Sequence, residues 1–183
     1  MIKKPQTDRR VQKTITALRE AFFELVLTYS YDEIKVSDII EQANVGRATF
    51  YQHYKNKDEL LAVSLHGPLS TLAASIEDGA MDDDLVWLVE HFWENRKFAP
   101  RIFSGTARRI VILALTTKIE DHLKQLSKGG NTKNKIPINL LAHQLAEAQM
   151  TVIIDWLLGY GNCSATDMAN HVKNTSVALC KAL

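Results

Sequence analysis

The sequence has only two cysteines, Cys163 and Cys180. They form no C-x-x-C pair and stand at no metal-ligand spacing from a histidine, so a disulfide scaffold and a zinc site are both excluded and a reduced compartment is the default. No stretch approaches the roughly 18 uninterrupted apolar residues of a membrane span, and the start "MIKKPQTDRRVQKT" has charge but no apolar signal-peptide core. The expectation is a soluble, unexported, cytoplasmic protein with no membrane partner. Catalytic signatures are missing too. The six histidines, His53, His66, His91, His122, His143 and His171, make no H-x-x-x-H or H-E-x-x-H pattern, and there is no G-x-S-x-G elbow or phosphate-cradling glycine loop. Glu147 and Asp155 stand two turns apart on one helix but lack the Glu-x-x-His partners of a di-metal site. No catalytic residue, metal ligand or cofactor is therefore assigned, and the chain is not read as an enzyme.

Charge of one sign is also lacking. Twenty-two basic against 21 acidic side chains leave a net charge of +1, so any cationic footprint is local. It is concentrated at the start, where Lys3, Lys4, Arg9, Arg10, Lys13 and Arg19 face Asp8 as the one acid, while "EDGAMDDD" near residue 80 supplies the opposing sign. The apolar share of 46% suffices for a real core.

What is present is helical periodicity. Val11, Ile15, Leu18, Phe22 and Leu25 recur at steps of four and three and predict an amphipathic first helix. "VSDIIEQA" predicts a short second helix ending at Asn44, a residue that tolerates the left-handed conformation of a helix stop. A turn through Val45 and Gly46 starts a third. Asp58 is the expected cap of a fourth, with Leu61, Leu65, Leu69, Leu72 and Ile76 inward and Gly67-Pro68 as a kink or break. Further helices follow in "DDDLVWLVEHFWENRKF", in "TARRIVILALTTKIEDHLKQL", from Ile138 to Tyr160, and from Ala165 to Ala182 with Ser164 as cap. Strand-like alternation, repeats and low-complexity runs are absent. The fold class is all-α, divided into residues 1–57, a basic arm and three-helix helix-turn-helix, and residues 58–183, a C-terminal helical domain for regulation and dimerisation.

The third helix carries the chemistry. In "VGRATFYQHYKNKDEL", Phe50 and Tyr54 face the small core and leave Arg47, Ala48, Thr49, Tyr51, Gln52 and His53 outward. Arg47 suits guanine N7 and O6, Gln52 an adenine edge, and Ala48 or the Thr49 methyl a thymine methyl. The hydroxyls of Thr49 and Tyr51 suit phosphate oxygens, and Lys55 and Lys57 are placed to add salt-dependent, sequence-independent affinity. A lysine-rich helix meeting an acidic protein partner is the competing reading.

This segment, extended back through "IIEQANV", resembles the DNA-binding signature of the tetracycline-repressor (TetR/AcrR) family over roughly residues 9 to 65. The resemblance implies base or nearby phosphate contacts at Arg47, Ala48, Thr49, Gln52 and His53, phosphate contacts at Tyr51 and Lys57, and a DNA contact at Ser37. It departs from the family pattern at Lys35, where a capping Thr is usual, at Asn44, where Gly is common, and at Gly46, where a hydroxyl is common. The loss at Gly46 removes one phosphate contact.

In that family the remaining chain dimerises and often binds an inducer. On the sequence's own terms, "QMTVIIDWLLGY" has apolar residues around most of the helix, and with the last helix it suits an intermolecular four-helix bundle; Ile153, Trp156, Leu157, Met168, Val172 and Leu179 are the expected interface. A monomer's central core helix is the alternative. "WLLGYGNCSATDMA" further resembles regulators of dihydroxyacetone-kinase operons. Aromatics cluster near the fifth helix, where Trp87, His91, Phe92 and Phe103, with Met150 and Met81, are the expected cavity lining, plain core being the alternative. The loop from Ser127 to Pro137 is placed to gate that cavity, a plain linker being the usual role of such composition. Together these readings predict a homodimeric transcriptional repressor, released by a small-molecule inducer from a palindromic double-stranded DNA operator; an activator satisfies the same residues.

Overall fold

The computed structural model describes residues 6–79, 83–127 and 136–181, so most of the expected gate loop, along with Met81 and the arm residues Lys3 and Lys4, lies outside the described residues. Within these residues there are ten α-helices and no strand: α1 Gln6–Thr28, α2 Val36–Gln42, α3 Arg47–His53, α4 Lys57–Ser64, α5 His66–Ala74, α6 Asp83–Glu94, α7 Ala99–Ile102, α8 Gly105–Ser127, α9 Ile138–Leu157 and α10 Ala165–Lys181. A single 3-10 turn, Arg96–Phe98, joins α6 to α7.

Helix stops and starts follow local chemistry. Asn44 has φ +50, and past α2 the Val45 N–H reaches the Ile40 carbonyl while the Asn44 N–H reaches Glu41, both at 3.1 Å. This left-handed stop satisfies two carbonyls that the helix end would orphan. Gly159 (φ +85) ends α9 by the same device, with Tyr160 N–H bonded to the Asp155 carbonyl. At the start of α10 the Ser164 hydroxyl oxygen accepts the Asp167 N–H at 3.0 Å, the expected cap.

Two starts differ from expectation. Helix α4 begins two residues earlier than the Asp58 cap implied, because Asn56 Oδ1 accepts the Glu59 N–H at 2.9 Å and the Glu59 carboxylate accepts the Lys55 N–H at 2.6 Å. Asp58 is instead bonded by the Tyr31 hydroxyl. At α2, Lys35 has no acceptor to offer, and the Asp38 carboxylate takes both the Lys35 N–H at 2.8 Å and the Ser37 hydroxyl at 3.1 Å.

Gly67-Pro68 breaks the fourth helix outright. Helix α4 stops at Ser64, Leu65 leaves helical geometry at φ −92, ψ 8, and α5 restarts at His66. Proline lacks the N–H that would bond four residues back, so the Ser64 carbonyl is free to accept the Arg19 guanidinium of α1 at 3.1 Å.

The core runs continuously from Leu18 and Phe22 of α1 through Phe50, Leu60, Leu72, Leu85, Leu115 and Leu145. Helix α9 is its axis. Leu141, Leu145, Gln149, Ile153 and Trp156 face inward, and the Gln149 amide nitrogen ties α9 to the Ser75 hydroxyl beyond α5 and to the Ser176 hydroxyl of α10 at 3.1 and 3.0 Å. Packing within one chain already covers most of the residues of the expected interface. Ile153, Trp156, Leu157, Met168 and Val172 are between 0 and 6% exposed within one chain, so their apolar surface is already covered, while Leu179, half-buried, keeps area for a partner. The all-round apolar pattern of α9 reflects a central helix packed from several sides.

Candidate nucleic-acid interface and regulatory cavity

Helix α3 is short and amphipathic in an uneven way. Phe50, fully buried, and Tyr54, 4% exposed, anchor it, with ring centroids 5.8 Å apart. Arg47, Ala48, Tyr51 and Gln52 are exposed, while Thr49 and His53 are half-buried. Tyr51 stands edge-on to Phe50 at 5.4 Å, and the Arg47 guanidinium lies 5.7 Å over the Tyr51 ring. The buried Phe50 thus orients Tyr51, and Tyr51 orients Arg47. An outward arginine restrained in this way loses less rotamer freedom when it grips a base edge or phosphate.

Ser37, exposed at the first turn of α2, and Arg47 line one shallow surface groove with Asn44 and Val45 between them. The structure therefore brings Ser37, Arg47, Ala48, Tyr51 and Gln52 to one side of the helix-turn-helix. Gly46, at φ −73, ψ 148, caps α3 without a side chain, so the hydroxyl expected there is absent.

The two lysines separate. Lys55 is exposed. Lys57 donates to the carbonyls of Tyr31 at 2.7 Å and Ile34 at 2.8 Å, and its ammonium sits 4.4 Å over the Tyr31 ring. That geometry ties the α4 start to the α1–α2 loop, giving Lys57 a structural task in place of a free cationic head. Tyr31 completes the same knot. Burial, then its hydrogen bond to Asp58, pushes the phenol well above its ordinary range.

A cavity of about 370 Å³ lies where α1 meets α4 to α7. Phe23, Phe92, Phe98, Phe103 and Leu157 supply apolar walls, with Arg19, Ser64, His91 and Asn95 as polar groups. Of the expected lining, His91, Phe92 and Phe103 are present. Trp87 is not. It is 63% exposed and stacks on the His91 ring at 5.3 Å, outside the cavity. Met150, 1% exposed, is core. Arg19, Phe23, Ser64 and Pro68 were not foreseen in the lining; the signal available was Pro68 standing four residues after Ser64.

The cavity adjoins the helix-turn-helix mechanically. Arg101 of α7 donates to the Leu27 carbonyl at the end of α1, and Gly105, at φ +52, lies so close to Asp32 that a Cβ would stand 3.0 Å from its carboxylate. No helix among the described residues is long and apolar enough to cross a membrane.

Comparison with known proteins agrees with this geometry. Residues 18–63 match the family described as "Bacterial regulatory proteins, tetR family". The chain is 48% identical over 60 residues to the uncharacterized HTH-type transcriptional regulator YxbF of Bacillus subtilis, covering 32% of this chain and 16% of that protein. It is 31% identical over 87 residues to the dhaKLM operon transcriptional activator DhaS of Lactococcus lactis, covering 47% of this chain and 46% of that one. The matches thus span under half the length of these curated relatives. A solved TetR transcriptional regulator from Streptococcus agalactiae superposes with a TM-score of 0.60 at 27% identity, covering 93% of this chain and 97% of the other. The buried Phe50, the left-handed Asn44 and the outward Arg47 and Tyr51 all lie within residues 18–63, the segment that matches the tetR family of bacterial regulatory proteins.

Proposed function

We propose that the protein is a homodimeric, cytoplasmic repressor that binds a palindromic operator and leaves it when a small molecule enters the cavity between α1 and α4 to α7. The observation that carries this reading is the cavity's position: one wall is α1 of the DNA-binding unit, the other is α6 and α7 of the C-terminal unit. Residues 1–57 read DNA and residues 58–183 regulate, with α4 common to both.

Arg47, Gln52, Ala48 and Thr49 contact base edges; Ser37, Tyr51, His53 and Lys55 contact phosphates or the groove wall. Two copies of α3 enter successive major grooves about one helical turn, 34–36 Å, apart. Occupying the cavity moves α1 relative to α7, and the Arg101–Leu27 link passes this motion to α2 and α3. The inducer acts only through its higher affinity for the DNA-incompetent spacing.

The outward stripe of α9 supports dimerisation. Leu140, Gln144, Ala148, Thr151, Asp155 and Leu158 recur at helical spacing and are exposed, Leu140 to 57% and Leu158 to 45%. This stripe, together with Leu179 of α10, replaces the core residues as the interface.

The named role of DhaS favours a second reading, in which the protein activates transcription. Selection of bound sequences from a random DNA pool, followed by transcription from a promoter carrying the selected site, distinguishes the outcomes. A palindrome whose occupancy lowers transcription supports repression; one whose occupancy raises it supports activation. Recovery of no preferred sequence would contradict both.

A further inference from the structure

Within the cavity polar groups are few: Arg19 and Ser64 on the side of α1 and α4, and His91 and Asn95 on the side of α6. Ser64 is 4% exposed, and its Oγ is buried without a hydrogen-bond partner among the described residues. A buried hydroxyl left this way carries an unmet desolvation cost, which an occupant that bonds to it would offset. Beside it, the exposed Arg19 gives an N–H to the Ser64 carbonyl and keeps most of its five donors open to solvent or a ligand. No carboxylate among the described residues pairs with it. Four phenyl rings share the lining: Phe23, one turn from Arg19 on α1, and Phe92, Phe98 and Phe103 on the side of α6 and α7.

We infer that the cavity takes a small aromatic carboxylate, its acid group held by the Arg19 guanidinium and the Ser64 hydroxyl and its ring system held among the four phenylalanines. The inference rests on the ligand-responsive reading of the same cavity and names the chemistry of the ligand. An arginine fork matches a carboxylate with two parallel bonds, and aromatic walls favour flat rings in edge-on or offset contact. The volume of 370 Å³, at about 30 Å³ per water-sized group, admits roughly a dozen non-hydrogen atoms. Polarity fixes the orientation. A second groove that shares Arg19, Phe23 and Phe98 with the cavity also carries Glu20 and Glu24, which repel an acid there and favour the Ser64 side for the carboxylate. Pro68 makes the site possible, since a donor at that position would occupy the Ser64 carbonyl and release Arg19.

The test is calorimetry of the full-length protein with 1-naphthaleneacetate and with its neutral counterpart, 1-naphthaleneacetamide. The acid is expected to bind about ten-fold or more tightly than the amide, as a charge-assisted pair implies. Arg19→Gln should bring the ratio near one, Arg19→Lys should restore part of it, and Ser64→Ala should weaken the acid several-fold with an unchanged far-ultraviolet spectrum. Equal binding of acid and amide, no saturable binding of the acid, or an unaltered ratio in Arg19→Gln overturns the assignment. DNA affinity measured in the same samples separates the two readings. Selective, Arg19-dependent binding with unchanged DNA affinity keeps the carboxylate site and removes the ligand-released repressor.

Discussion

Arg19 donates to the backbone carbonyl of Ser64 at 3.1 Å, the carbonyl that Pro68, four residues further on, has no N–H to reach. One proline therefore breaks the fourth helix, attaches α1 to the break and leaves a polar corner at the cavity wall. Arg19→Ala should destabilise the protein by about 1–2 kcal/mol by stranding that carbonyl. In a Pro68→Ala background the new N–H takes over, and the same substitution should cost at least about 0.5 kcal/mol less. Urea unfolding of the four proteins measures the coupling; strict additivity would contradict the relationship.

Arg47 and Lys55 should act differently on DNA. Arg47→Ala is expected to cost about 1–3 kcal/mol and relax preference at one base position, whereas Lys55→Ala weakens all sequences alike and lowers the salt slope by about one. Lys57→Ala should instead lower stability by about 1–3 kcal/mol, because two carbonyls, those of Tyr31 and Ile34, lose their donor. Thermal melts alongside salt titrations distinguish the two lysines. A Lys57→Ala protein of unchanged stability and reduced salt slope would return it to the phosphate contacts.

Gly46→Ser should be accommodated, since a Cβ there meets Thr49 Oγ1 at an ordinary 3.6 Å and the backbone has φ −73. A serine cap stabilises by a few tenths of a kcal/mol and returns the missing hydroxyl to the DNA-facing end of α3. Operator affinity is expected to rise, as read by anisotropy at fixed salt, and a fall would show that the hydroxyl obstructs the groove.

Much of this was legible in the sequence because it is local. Phe50 inward, Tyr51 outward, the Asn44 stop and the Ser164 cap each depend on residues within a turn or two. The cavity was half legible. His91, Phe92 and Phe103 share a helical neighbourhood, but Arg19 and Ser64 stand 45 positions apart, and only the packing of α1 on the α4–α5 break unites them. The dimer residues were less legible for a related reason. Periodicity shows that Ile153 and Trp156 need burial, yet it cannot say whether the covering surface comes from the same chain or another.

Alkaline solution should test the Tyr31–Asp58 knot. The folded state raises the Tyr31 pKa by burial and by the Asp58 bond, so it holds the phenolic proton more tightly than the unfolded chain does. That stabilisation is complete below the unfolded value of about 10 and is lost as pH rises above it. Tyr31→Phe should cost about 1 kcal/mol at neutral pH and flatten the fall in stability above pH ~10. An equally steep alkaline limb would assign it to other groups.

Dimerisation through the outward stripe of α9 predicts that Leu140→Glu shifts the protein to monomer in sedimentation without loss of helicity. Ile153→Glu, at a fully buried position, should unfold it. If Leu140→Glu left the oligomer intact, another surface would be responsible.

The central claim is that α3 reads DNA. Fluorescence anisotropy of the full-length protein on DNA flanking its own coding region, against a scrambled duplex, across a salt series and with Tyr51→Ala, tests it most directly. The account predicts selective binding that weakens with salt and is lost on substitution. Binding that is the same for both duplexes and untouched by Tyr51→Ala would contradict it.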